Sequence, residues 1–309
     1  MLVNKKKIAS VAEASSNEAP MKGRSQWQDA MGRFKKNKAS LVSVIVLSIM
    51  ILISFLGPAL SEWDHETIDW ALTGNAAEMG APSIENGHFF GTDDLGRDLY
   101  ARVMQGTQIS LMVGIIGTVV AVLVGVLYGA IAGYFGGRVD NFMMRFVDIL
   151  MSIPYMFILI ILFVMFGRSV YILFIGLGLF SWMDMARIVR GQTLSLKHKE
   201  FIEAAVAAGV SDFTIIIRHI VPNLLGIVVV YTSLMIPNLI LLESFISFLG
   251  LGIQEPLTSW GALISEGAKT IQYGTLWQLA FPLAFFVTGL FCFFFIGDGL
   301  RDAFDPKER

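Results

Sequence analysis

The chain has 309 residues, 55% of them hydrophobic and 16% charged, with a net charge of −2. A soluble domain carries about 25% charged residues, so an ordinary soluble globule is excluded, and the near-zero balance excludes the basic field of a nucleic-acid binder. Cys292 is the single cysteine, which excludes an internal disulfide and a multi-cysteine metal centre.

Residues 1–38 read as a cytoplasmic tail. Lys5, Lys6 and Lys7 precede IASVAEASSNEAP, which lacks an apolar core and carries Glu13 and Glu18, so a cleavable signal is not expected. Trp27, Met31 and Phe34 then recur at helical spacing among basic residues, the pattern of an amphipathic helix lying on the inner membrane face in contact with lipid. Six apolar stretches follow, 39–60, 109–134, 142–166, 170–188, 221–242 and 279–297, each near the roughly 20 residues that cross a bilayer as a helix. Pro154 interrupts the third, Pro237 lies within the fifth, and Pro222 and Pro282 stand near the starts of the fifth and sixth. Proline is tolerated in lipid where neighbouring helices or water re-satisfy the backbone. The predicted fold class is an all-α membrane protein with six transmembrane helices, bundled around something polar.

Orientation follows from lysine and arginine, which collect on the cytoplasmic side. With both ends cytoplasmic, 19 of the 23 fall inside, and only Arg97, Arg102, Arg168 and Lys269 fall outside. The expected divisions are the tail 1–38, a first transmembrane helix 39–60, an extracytoplasmic lobe 61–107, a five-helix core 108–298 containing a cytoplasmic connection 189–222, and a C-terminal tail 299–309. The lobe is acidic, and a short helix is expected over 97–105 with Gly91, Thr92 and Asp93 as its start signal.

The second span places small residues at every fourth position, Ala121, Gly125, Gly129 and Gly133, which lets another helix approach closely, either inside the bundle or from a second membrane subunit. Charges in and beside the spans are expected to be paired near the interface: Asp148 with Arg145 or near Arg138, and Asp184 near Arg187 one turn on. Asn238, Glu243, Ser244 and Ser247 are the polar groups that could line a cargo path.

Between the fourth and fifth spans, EFIEAAVAA (200–208) favours helix, Gly209 stops it, and Ser211 or Asp212 can cap a second helix running through FTIIIRHI to Pro222. No P-loop, HExxH or G-x-S-x-G pattern occurs in the chain, and His65, His88, His198 and His219 are scattered without ligand spacing. No catalytic residue, metal site or cofactor is therefore expected in this chain. The helix–Gly–helix element reads as a docking surface for another protein.

Glu203, Ala204, Ala205, Gly209 and Pro222 together resemble the EAA loop of ATP-binding-cassette importer permeases, with His219 and Val221 standing where that pattern has Ile and Leu. HFFGTDDLGRDLYARVMQGTQISL (88–111), SFLGLGIQEPLTSWGALISEG (247–267) and GDGLRDAFDP (297–306) are similar to the C-type permease subunits of dipeptide and oligopeptide importers. The resemblance implies a type I importer permease architecture in the cytoplasmic membrane, and a non-catalytic subunit. It implies a second homologous permease, two cytoplasmic ATPase subunits that bind ATP and Mg, and an extracytoplasmic solute-binding protein, with no nucleic acid. Those five EAA-loop residues would dock the ATPase. Gly91, Thr92, Asp93, Asp94 and Trp260 would meet the binding protein or form a structural clasp. The implied cargo is peptide, with nickel chelates or another small solute as the alternative. A secondary transporter would favour repeated halves with midplane carboxylates, and no internal repeat is visible.

Overall fold

The computed structural model describes residues 26–73 and 76–304. The expected basic tail with Lys5, Lys6 and Lys7, and the last residues 305–309, lie outside them. Among the described residues the chain is helical, with β pairing limited to the isolated bridges Ile68–Arg97 and Thr92–Asp98. The helices are α1 Gln26–Phe34, α2 Lys38–Leu56, α3 Leu99–Phe135, α4 Gly137–Ser152, α5 Tyr155–Phe166, α6 Val170–Leu196, α7 Glu200–Ala207, α8 Val221–Phe248, α9 Trp260–Thr270 and α10 Leu276–Phe304. By length and apolarity α2, α3, α6, α8 and α10 each suffice to cross a membrane, and α4 with α5, bent by 75° at their junction, makes a sixth if the pair is taken as one broken span. The break falls at Ile153 and Pro154. Proline lacks the N–H that would continue the helix and pushes the residue before it into extended conformation, and Ile153 has φ −89° and ψ 123°.

Several boundaries differ from those expected. The short helix over 97–105 is not separate. It forms the first turns of the 37-residue α3, whose length of about 55 Å exceeds the bilayer, so its head stands in the lobe that precedes it in sequence. The start signal is Asp98, whose carboxylate accepts the Ala101 N–H at 2.7 Å, rather than Gly91, Thr92 and Asp93. The 107/108 division accordingly falls inside α3, and the 298/299 division inside α10. α6 continues to Leu196, and the turn Asp212–Ile215 and the π-helical Ile216–Ile220 lead straight into α8. The helix expected to end at Pro222 is thus the foot of the fifth span. Pro222 has no N–H to give this continuous helix, and the π-helical turn Ile216–Ile220 lies directly before it.

The small-residue spine faces α6 of the same chain. A Cβ on Gly125 would lie 2.6 Å from the Trp182 carbonyl oxygen, and one on Gly133 2.7 Å from Thr193 Cβ. Ala121 is fully buried along the same line. α3 and α6 therefore pack backbone to backbone as one body. α10 packs on α2, α8 and α9, and α1 crosses its inner end with Trp27 edge-on to Phe304 at 5.1 Å. Met31 is 54% exposed, and Trp27 remains 47% exposed beside that ring contact.

Candidate functional site

α7 has two faces. Ile202 and Ala205 are buried in a cluster with Val126, Ala130, Met185, Ile215 and Ile220, from α3, α6 and the foot of α8. Phe201, Glu203, Ala204, Val206 and Ala207 are exposed. Of the expected docking residues, Glu203 and Ala204 point outward, Ala205 is turned into the bundle, and Gly209 and Pro222 are exposed. The helix ends in a Schellman motif, with the Val210 N–H on the Ala205 carbonyl at 3.1 Å and the Gly209 N–H on the Val206 carbonyl at 2.9 Å. Gly209 has φ +73°, a left-handed conformation in which a Cβ crowds the following carbonyl.

The second cap differs from expectation. Ser211 precedes the turn but makes no capping bond, its hydroxyl meeting Thr214 Oγ1 at 2.7 Å. Asp212 instead accepts the Tyr134 hydroxyl at 2.7 Å, tying the foot of α8 to the end of α3. Sequence reasoning also missed the apolar outer surface of the element. Phe201, Val206 and Phe213 are exposed, and Phe213 is 70% exposed. The signal was available: bulky apolar residues flank Glu203 on a helix whose inner stripe is already filled by Ile202 and Ala205. A cleft of about 480 Å³ beside α7 is bounded by Tyr134, Lys197, His198, Glu203 and Asp212.

Charged pairs brace α6 from the side. Arg190 donates to both carboxylate oxygens of Asp140, and Arg187 pairs with Asp148. The expected pairings of Asp148 with Arg145 or near Arg138, and of Asp184 with Arg187, are both replaced, because α4 lies with its acidic residues alongside α6.

On the opposite side, motifs far apart in sequence lock together. Asp93 accepts Arg97 Nε at 2.7 Å and Arg102 at 2.5 Å, Arg102 reaches Glu266 on α9 at 2.7 Å, and Arg97 reaches Glu255 at 2.8 Å. Burial works against the Arg97 charge, but Glu255 and Asp93 outweigh it and raise its pKa above the ordinary value. Trp277 and Gln278 of α10 donate to the Thr92 carbonyl at 3.2 and 2.9 Å. Trp260 is 0% exposed, with its indole N–H on Thr107 Oγ1 at 3.0 Å. Of the residues expected to meet a binding protein, Gly91, Thr92, Asp93 and Trp260 are therefore interior, and Asp94 alone is exposed. His88, scattered in sequence, is buried between Asp98 at 2.9 Å and Asp69 at 3.6 Å.

The expected path residues separate in space. Asn238 lines a cavity of about 410 Å³ beside the α4–α5 bend, with Pro154, Tyr155, Ser181 and Asp184 among its neighbours. Glu243, Ser244 and Ser247 do not line it. Glu243 is 0% exposed, and its carboxylate accepts Ser247 at 2.7 Å, Ser110 at 3.2 Å and Ser244 at 3.3 Å. Ser110 Oγ in turn accepts the Trp260 N–H at 3.1 Å. These groups join α3, α8 and the head of α9, satisfying a buried carboxyl group that would otherwise be costly in the membrane.

A family model described as the binding-protein-dependent transport system inner membrane component matches residues 125–309. A second, the N-terminal transmembrane domain of oligopeptide transport permease C, matches residues 25–77. The chain is 55% identical to the oligopeptide transport system permease protein OppC of Escherichia coli (strain K12), over 98% of this chain and 99% of that protein. It is 41% identical to the dipeptide transport system permease protein DppC of Bacillus subtilis (strain 168), over 96% and 90%. It is 39% identical to the OppC protein of the same organism, over 93% and 92%.

Proposed function

The chain belongs to the family of binding-protein-dependent inner-membrane transport components, and on that premise we propose that it carries oligopeptides and dipeptides across the cytoplasmic membrane as the permease subunit of an ATP-driven importer. It is a multi-pass membrane protein. The relatives above are named for oligopeptides and dipeptides, which favours peptide over nickel chelates or another small solute. Family membership also sets aside an ion-gradient transporter.

The engine lies in other chains. Two cytoplasmic ATPase subunits bind ATP and Mg and press on the outer face of α7. A homologous permease completes the path, and a solute-binding protein delivers peptide at the outer lobe, where Asp94 is the accessible member of its motif. Both termini lie in the cytoplasm, as the distribution of lysine and arginine argues. The observation that best supports this reading is the two-sidedness of α7. Phe201, Val206 and Phe213 present an apolar surface outside the spans, while Ile202 and Ala205 are sealed into the bundle. A push on that surface reaches α6 and α8 directly, because the closing turn at Gly209 is stiff and the foot of α8 is continuous with its span. ATP and the loaded binding protein then bias one equilibrium between inward- and outward-open states.

Reconstituted vesicles test the proposal. Vesicles holding the chain with its co-purified subunits are expected to take up labelled peptide only with ATP on the ATPase side, and vesicles holding the chain alone to take up none. Glu203→Lys is expected to abolish uptake with membrane insertion unchanged. ATP-independent accumulation of peptide by the chain alone would overturn it.

A further inference from the structure

Asp184 lies within α6, exposed and lining the cavity at the α4–α5 bend. Arg187, one turn on, is engaged by Asp148, and no ion pair or hydrogen bond reaches Asp184 from the described residues. A carboxylate within a membrane-spanning helix is rare and costly unless it meets water, a cation or a transported group. The surrounding wall is largely apolar and holds Met151, Met183 and Met235, with Ser181 and Asn238 as further polar members. Methionine is unbranched and polarisable, so such a wall adapts to apolar groups of many shapes.

A path for peptides of varied sequence needs a handle that does not depend on side chains. Every unmodified peptide offers one, a positively charged α-ammonium followed by a peptide bond. We propose that Asp184 receives the α-ammonium of a peptide in passage and that the Asn238 amide, both donor and acceptor, meets the adjoining peptide group, while the methionines accommodate the side chains. The proposal rests on the permease reading above and adds the group that orients the cargo.

The test uses the complete importer in vesicles, with wild type, Asp184→Asn and Asp184→Glu, and trialanine carrying a photoreactive diazirine on its first or its last residue. Asp184→Asn is expected to lower uptake roughly tenfold, the loss of one charge-assisted hydrogen bond, and to lower peptide delivered per ATP hydrolysed. Asp184→Glu is expected to restore most of it. The first-residue probe is expected to label this chain near residue 184 and to lose that labelling in Asp184→Asn, whereas the last-residue probe labels elsewhere. The proposal is overturned if both probes label the same segment, if Asp184→Asn leaves uptake unchanged, or if it releases the second permease on purification, which would make Asp184 an interface pin. If wild-type vesicles take up no peptide under ATP, the permease reading itself fails, and this inference with it.

Discussion

Arg190 on α6 donates two parallel hydrogen bonds, each 2.6 Å long, to Asp140 near the start of α4. The pair braces the helix that precedes α7 against the start of α4, the helix that runs on to the bend beside the cavity.

Asp140 is almost fully buried, whereas Asp148 in the neighbouring pair with Arg187 is more than half exposed. Removing a buried partner strands a charge, while an exposed pair is screened by solvent. Asp140→Ala is expected to lower stability by roughly 2–3 kcal/mol, and Asp148→Ala by about 1 kcal/mol or less. Thermal unfolding of the two variants in one detergent checks the order, and equal losses would contradict it.

The α3–α6 seam makes a second contrast, between glycines. A Cβ on Gly129 would run into the Ala186 carbonyl and lie 2.9 Å from the Arg190 nitrogen, whereas one on Gly191 meets nothing within 4 Å. Gly129→Ala is expected to destabilise the isolated chain by about 1–3 kcal/mol, as overpacking does. Gly191→Ala is expected to stabilise it by about 0.5–1 kcal/mol through helix propensity. Unfolding midpoints that move the same way would show that the seam is looser than described.

In the outer clasp, Arg102 is 2% exposed; its Nη1 donates to both Asp93 and Glu266, and its Nη2 adds a second bond to Glu266 at 3.2 Å. A lysine offers one compact charge in place of that fork. Arg102→Lys is therefore expected not to rescue the clasp, and Arg102→Ala is expected to cost about 3–5 kcal/mol. Limited proteolysis of the lobe between residues 61 and 98 reads the result. Wild-type resistance in Arg102→Lys would contradict the role of the fork.

Asp98 supplies a pH dependence. Burial raises its pKa above the ordinary aspartate value, against the opposing hydrogen bonds from Ala101 and His88. A group whose folded pKa is raised favours the fold most in its protonated form, so its contribution declines as pH rises through the ordinary value toward the folded one. The stability of wild type relative to Asp98→Asn, which keeps a capping oxygen but does not titrate, is expected to grow as pH falls from about 7 to about 4. A difference that shrinks on acidification would contradict the sign.

Hydropathy and local chemistry made much of this legible in the sequence. The spacing of Ala121, Gly125, Gly129 and Gly133 announced a close helix contact, and Gly209 announced a left-handed stop, because both depend on residues near in sequence. What stayed hidden depends on distant ones. Asp184 and Arg187 looked like a pair until the packing of α4 beside α6 brought Asp148 to the arginine. Trp260 looked available for a partner until α3 enclosed it. Glu243 looked like a path residue until its serine partners came from two different helices. Ala205 shared a motif with Ala204, and only the packing of Ile202 beside it shows which of the two faces inward.

The most direct measurement is crosslinking from α7 in the assembled importer. Cys292 is buried, so a cysteine introduced at Ala204→Cys is the accessible thiol among the described residues. It is expected to crosslink to an ATPase subunit, to be shielded from a water-soluble maleimide by that subunit, and to stop peptide uptake once linked. Free maleimide labelling at position 204 in the assembled importer, with no crosslink to an ATPase, would contradict the entry of force through α7.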